Sequence, residues 1–109
     1  MEIAGSYGLF VGGASGMCRA TATKFAEKGG KVAILDLEQS DGASVAESLG
    51  GIFHPCNVMD YEGMESTIGA AVAELGGLHF MVNTAGGGVA QRTIKKDGSR
   101  HSLDDFRRI

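Results

Sequence analysis

The chain has 109 residues, 43% of them hydrophobic, with a mean hydropathy of +0.02, which suits a single globular domain with a modest core. A net charge of −3 and a pI of about 5.5 give it no general attraction to nucleic acid or to anionic membrane, and neither is expected as a partner. Cys18 and Cys56 are too few and too far apart for a disulfide framework or a Cys-x-x-Cys pair, which points to a reducing compartment. With no basic leader, no signal-like apolar core and no run near the roughly 20 apolar residues of a membrane span, a cytoplasmic location is expected.

Strand and helix signals alternate along the chain. A short apolar strand over 9–11 runs into Gly12, Gly13 and Gly16, and a helix follows over about 17–28. Gly29 and Gly30 supply the glycine stop expected just past a helix C-terminus. Residues 31–37, KVAILDL, make an apolar run ending in an acid, the pattern of a buried parallel strand. Ser40 or Asp41 caps a second helix over 43–49, closed by Gly50 and Gly51, and residues 52–56 read as a weaker third strand. Asp60 caps the clearest helix, in which Tyr61, Met64, Ile68, Ala71 or Val72, and Leu75 recur at three- and four-residue steps. Gly76 and Gly77 stop it, and residues 78–82 form a fourth strand. Phe10, Phe25, Met64, Phe80 and Met81 fall on core positions of these elements.

A β-α-β-α-β-α-β succession predicts an α/β fold, the N-terminal half of a Rossmann-type doubly wound parallel sheet. Right-handed crossovers give the strand order 3-2-1-4 with helices on both faces. Residues 1–109 are read as one incomplete domain. After the fourth strand, NTAGGG at 83–88 leads into 89–101, where Lys96, Asp97 and Gly98 signal a turn. Ser102 and Asp105 have the spacing of a capping box in its weaker Asp form, so a further helix starts there. It reaches Ile109 barely two turns in, too short to bury a useful face, and the chain reads as truncated.

The strand, glycine turn and helix over 8–28 form a device for holding a dinucleotide diphosphate. Gly12 lets the chain turn off the strand, Gly16 lets backbone approach a phosphate, and the helix start offers unpaired N–H groups. The plain alternative is a structural turn. Asp36 ends the second strand twenty residues after Gly16, the place of an acid that accepts hydrogen bonds from an adenosine ribose. Its carboxylate would repel a ribose phosphate, and no Lys or Arg stands among the glycines, so NAD is favoured over NADP. The plain alternative here is a solvated acid at a strand end.

The Gly-Gly-Ala-Ser-Gly-x-x-Arg-Ala run, Asp36, the Asn57-Val58 pair and Asn-x-Ala-Gly after strand four resemble the short-chain dehydrogenase/reductase family. The tail from Asn83 onward is most similar to its type-2 3-hydroxyacyl-CoA dehydrogenase branch. The likeness covers this whole chain but only the first half of a family member. It implies that Gly12, Ser15, Gly16 and Met17 line the diphosphate and nearby ribose. Asp36 and Leu37 would hold the adenosine ribose, and Asn57 and Val58 would flank the adenine. Asn83, Thr84, Ala85 and Gly86 would floor the cofactor. The implied function is NAD-dependent hydride transfer between nicotinamide and a secondary alcohol or ketone, in a homo-oligomer acting on a small-molecule substrate, 3-hydroxyacyl-CoA among the candidates.

Several positions depart from the family pattern. Val11 stands for a Thr, Cys18 for the third glycine, Asn57 for an Asp, His79 for an acid and Thr84 for an Asn. A side chain at position 18 would cost about 1–3 kcal/mol if the backbone could not relax. The family's Tyr-x-x-x-Lys pair is missing, because Tyr7 is followed four on by Val11 and Tyr61 by Glu65. No catalytic residue is therefore assigned. A non-catalytic nucleotide-binding module and a non-functional truncated product are the alternatives. His54, Cys56 and Cys18 are poorly spaced for a metal, and none is expected. Ser15 has no His partner to make it a nucleophile. The basic residues from Arg92 to Arg100 could touch substrate phosphates or form a solvated loop.

Overall fold

The computed structural model describes residues 2–86, 94 and 96–108. The elements run β1 (Tyr7–Val11), α1 (Gly16–Glu27), β2 (Lys31–Asp36), α2 (Gly42–Ser48), β3 (Ile52–Pro55), α3 (Tyr61–Leu75), β4 (Phe80–Asn83) and α4 (Leu103–Arg108). The sheet order is β3-β2-β1-β4 and every pairing is parallel. The expected doubly wound half-sheet is what the chain forms.

Strand alternation divides the core in two. Phe10, Val32 and Ile34 point to one face, where they meet Cys18, Ala22 and Phe25 of α1 and Val45 and Ala46 of α2. Leu9, Val11, Ala33 and Leu35 point to the other, beneath Ala71 of α3, with Met64, Ile68, Val72 and Leu75 at its margin. The topology explains the split. The chain steps outward from β1 to β2 to β3, then crosses back to β4, so a right-handed connection must place α3 on the opposite side from α1 and α2. Burying one side chain such as Phe10, which has no exposure, is worth roughly 1.5–3 kcal/mol.

Caps set the helix ends. Asp60 Oδ1 accepts the Gly63 N–H at 3.0 Å, and Gly76 closes α3 in the left-handed conformation. At α2, Asp41 holds the cap position without a side-chain bond, while Ser40 Oγ accepts the Gly42 N–H at 3.2 Å.

Three expectations change. Tyr61 is 79% exposed: as the first residue of α3 it precedes the stripe that faces the sheet. Met81 is 46% exposed because α3 lies over β3, β2 and β1, and among the described residues no helix packs closely on that side of β4. β4 begins at Phe80 rather than Leu78. The His79 N–H reaches the Tyr7 carbonyl at 2.9 Å, but the Tyr7 N–H is taken by the His79 ring at Nδ1, 3.1 Å away. A side chain stands where the ladder would otherwise start. The anticipated turn is present, with Asp97 Oδ1 accepting from the Ser99 N–H at 2.9 Å, and α4 follows directly after Ser102. Arg92, Lys95 and the glycines at 87 and 88 lie outside the described residues.

Phe25 and Phe80 stack at 5.7 Å, and Phe10 meets Phe25 edge-on at 5.5 Å. Gly30 makes room for this cluster, since a Cβ there would sit 2.2 Å from the Phe25 ring. Gly30→Ala should cost about 1–3 kcal/mol in urea unfolding. Gly69→Ala, with open space around an exposed helical site, should gain about 0.5–1 kcal/mol. Equal effects would refute this account of the packing.

Candidate functional site

The reversal of strand order falls between β1 and β4, and the crevice beyond the carboxyl ends of such strands is where open α/β sheets bind ligands. A cleft of about 750 Å³ opens there. Eleven of the twelve residues singled out from the sequence line it: Gly12, Ser15, Gly16, Met17, Asp36, Leu37, Asn57, Val58, Thr84, Ala85 and Gly86. Val11, Leu35, Cys56 and Met59 complete the wall. Sequence reasoning passed over these four. The alternation of β1 and β2 would have pointed to Val11 and Leu35, the last inward residues of their strands.

Asn83 is the one left out of the wall. Its Oδ1 accepts the Ala85 N–H at 3.0 Å, so it shapes the loop that forms the cleft floor. That loop is held to β1 by the Thr84 N–H, which donates to the Val11 carbonyl at 3.0 Å.

Gly12 is required twice over. Its φ is +85°, and a Cβ there would lie 2.9 Å from the Ala85 nitrogen. Its N–H donates to the Leu35 carbonyl at 2.7 Å, fixing the turn to β2. Gly16, with φ +61°, opens α1 and has nothing within 4 Å on its Cβ side. Ser15 stands at the N-cap in extended conformation and makes no capping bond, and no acid occupies the first turn. The first turn of α1 thus has neither a capping side chain nor an acid of its own, and its N–H groups are available to an anion.

Asp36 ties the site together. Its Oδ2 accepts the Ala14 N–H at 3.0 Å and its Oδ1 accepts the Leu37 N–H at 2.7 Å. Each carboxylate oxygen keeps a further lone pair for a ligand hydroxyl. The Asp36 carbonyl accepts the Cys56 N–H at 2.8 Å, linking β2 to the β3 end of the cleft. Exposed apolar side chains flank this acid: Met17 at 78%, Leu37 at 42% and Met59 at 51%. Asn57 Oδ1 accepts the Met59 N–H at 2.9 Å.

Cys18, standing for a glycine, is accommodated. It is fully buried where α1 crosses β1, and its Sγ donates to the Val11 carbonyl at 3.5 Å. Burial pushes its thiol above the usual range; Asp36 adds to this and Thr84 opposes it. Burial and Asp36 raise Cys56 in the same way. Both are therefore thiols, poor nucleophiles and poor metal ligands at neutral pH. His54 Nε2 pairs with Glu74 Oε2 at 2.7 Å, and no cluster of three or more metal-ligating residues occurs among the described residues. Tyr7 begins β1, at the end of the sheet away from the cleft, and Lys96 and Arg100 are exposed.

A raised thiol has a pH consequence. The unfolded thiol ionises near pH 9.0, the folded one only above that, so the folded state holds the proton more tightly and loses stability as pH climbs past about 9.0. Cys18→Ala should show a shallower alkaline decline in the denaturation midpoint. An unchanged slope would acquit the thiol.

The family model described as Enoyl-(Acyl carrier protein) reductase matches residues 12–109. The human 3-hydroxyacyl-CoA dehydrogenase type-2 is 34% identical over 99% of this chain and 42% of its own length. The Drosophila melanogaster protein of the same name is 36% identical over 93% of this chain and 41% of its own. A 2,5-dichloro-2,5-cyclohexadiene-1,4-diol dehydrogenase from Sphingobium indicum is 38% identical over 86% and 41%. The crystal structure of 3-hydroxyacyl-CoA dehydrogenase type-2 from Mycobacterium avium superposes with a TM-score of 0.83 at 32% identity, over 98% of this chain and 43% of that one. The chain thus spans well under half the length of these relatives. With the glycine turn, the β3-β2-β1-β4 sheet and the family match in agreement, it belongs to the short-chain dehydrogenase/reductase family.

Proposed function

We propose that this chain is the cofactor-binding half of an NAD-dependent oxidoreductase that moves a hydride between nicotinamide and a secondary alcohol or ketone. The named relatives suggest a 3-hydroxyacyl-CoA as the substrate class. The supporting observation is the convergence of the glycine turn, Asp36 and the 84–86 loop on one cleft. Two features support this reading: Gly12 closes against the Ala85 backbone and the Thr84 hydroxyl, and the open side of Gly16 leaves room for a phosphate. Gly12, Ser15, Gly16 and Met17 would hold the diphosphate and nearby ribose, and the α1 N-terminus would stabilise its charge. Asp36 would accept the adenosine ribose hydroxyls and repel a phosphate placed there. Asn57 and Val58 would flank the base, with Leu37 beside it, and Asn83 would brace the floor formed by Thr84, Ala85 and Gly86. The nicotinamide, when bound, supplies the hydride chemistry.

No proton transfer is assigned to this chain, since neither Tyr7 nor Tyr61 begins a Tyr-x-x-x-Lys pair. That observation favours, as second reading, a nucleotide-binding module without turnover. The reading also takes the protein as cytoplasmic, and no helix among the described residues is long and apolar enough to cross a membrane. Self-association belongs to it as well: among the described residues β4 pairs with β1 alone, leaving an open edge beside Met81.

NADH titrated into the purified chain should show saturable fluorescence enhancement, with NADPH about tenfold weaker or more. Asp36→Ala should narrow that gap. Absence of saturable NADH binding would overturn the cofactor site. Binding without oxidation of NADH by acetoacetyl-CoA is expected of this chain alone, whereas turnover would overturn the absence of catalytic residues. In sedimentation velocity the chain should run larger than a monomer, and a sharp monomer boundary would remove the β4 edge as a contact.

A further inference from the structure

Two histidines stand at the outer strands of the sheet, His54 in β3 and His79 immediately before β4. Their rings respond differently to a proton. His54 Nε2 meets the Glu74 carboxylate at 2.7 Å, a contact the ring can make as a neutral donor or as a cation. His79 instead takes both backbone groups of Tyr7. Its N–H donates to the Tyr7 carbonyl at 2.9 Å, and its ring accepts the Tyr7 N–H at Nδ1, 3.1 Å away. A backbone N–H can only donate, so Nδ1 holds a lone pair and the ring proton sits on Nε2.

An imidazolium carries N–H on both nitrogens and accepts nothing. Protonation of His79 therefore sets two donors face to face and opens one of its two bonds to Tyr7. Among the described residues no carboxylate pairs with His79 to offset the new charge. The Tyr7 ring, from β1, stacks on the imidazole with centroids 5.4 Å apart. Lys31 Nζ, from β2, already places a cation 5.6 Å from the centroid of that Tyr7 ring. Gly76 and Gly77, at the end of α3, lie against the same ring and bring no charge.

β4 has little else to hold it. It is four residues long, it pairs among the described residues with β1 alone, and Phe80 and Val82 anchor it on the α1 side. It runs directly into Thr84, Ala85 and Gly86 of the cleft.

We propose that His79 is a proton-operated latch: neutral, it clasps the start of β4 to β1, and on gaining a proton it lets go and loosens the cleft floor that β4 carries. The inference stands on the Tyr7–His79 geometry and holds whatever the cleft binds. A carboxylate would remain an acceptor down to about pH 4. Histidine moves the release into roughly pH 5–8, where its charge changes.

Nitrogen-15 NMR of the labelled chain tests the latch without a ligand. At about pH 8 the His79 ring should show a bare Nδ1 and a protonated Nε2. As the ring titrates toward about pH 5, the Tyr7 amide should lose about fivefold of its protection against hydrogen exchange, corrected for intrinsic rates. The Thr84 amide should lose protection in step. Both losses should follow the titration of His79 and not that of His54 or His101, each ring being read separately. His79→Asn keeps an acceptor and cannot titrate, so its Tyr7 amide should stay protected throughout. A proton on Nδ1 at about pH 8, or a ring still neutral at about pH 5, overturns the latch. So does protection at Tyr7 or Thr84 that ignores the His79 titration, or the same loss in His79→Asn. If His79→Asn does not melt cooperatively, the match of midpoints in the unaltered chain decides.

Discussion

The hydrogen bond from the Ala14 N–H to the Asp36 carboxylate holds the cleft in shape. It ties the turn after β1 to the end of β2, twenty-two residues away. The Gly12 N–H on the Leu35 carbonyl makes the second tie between the same two segments. Between them they fix where α1 starts and hence where its unpaired N–H groups point. The same carboxylate adds to the effect of burial in raising both thiols.

The sheet on which this junction rests is unevenly covered. α1 and α2 close one face, and α3 closes the other over β3, β2 and β1. β4 is laid against β1 through the ladder from Gly8 to Val11, with the His79 ring standing in for a carbonyl at its start. The cleft therefore has one wall built on the central strands and a floor carried by β4, which among the described residues pairs with β1 alone. Cys18 shows how much freedom the packed side retains: a thiol enters where a glycine was expected and finds the Val11 carbonyl as its partner. That carbonyl also accepts from Thr84, so the β1 terminus joins the helix and the floor loop at one atom.

The candidate site was largely legible because its signals are local. Glycines needing left-handed backbone, an acid at a strand end and an Asn-x-Ala-Gly after the fourth strand are all short patterns whose conformational demands follow from residue type. Asn83 belongs to that pattern, yet its side chain turns back to Ala85. Met59 carries no pattern, yet it lines the wall, in a loop where its N–H is held by the Asn57 side chain. Tyr61 and Met81 kept the right period and still ended exposed. Periodicity says which side of an element is apolar, and not whether a neighbour arrives to cover it.

The sequence by itself determined the elements, their order and the sheet's handed topology. Side-chain period and glycine stops are properties of neighbouring residues, and crossover handedness follows from chain chirality. Only the tertiary structure decided which polar atoms remain for a ligand. Whether Asp36 keeps a lone pair after binding Ala14 and Leu37, and whether Cys18 fits, are questions of distance. Those distances are set jointly by segments far apart in the chain, and no local pattern records them.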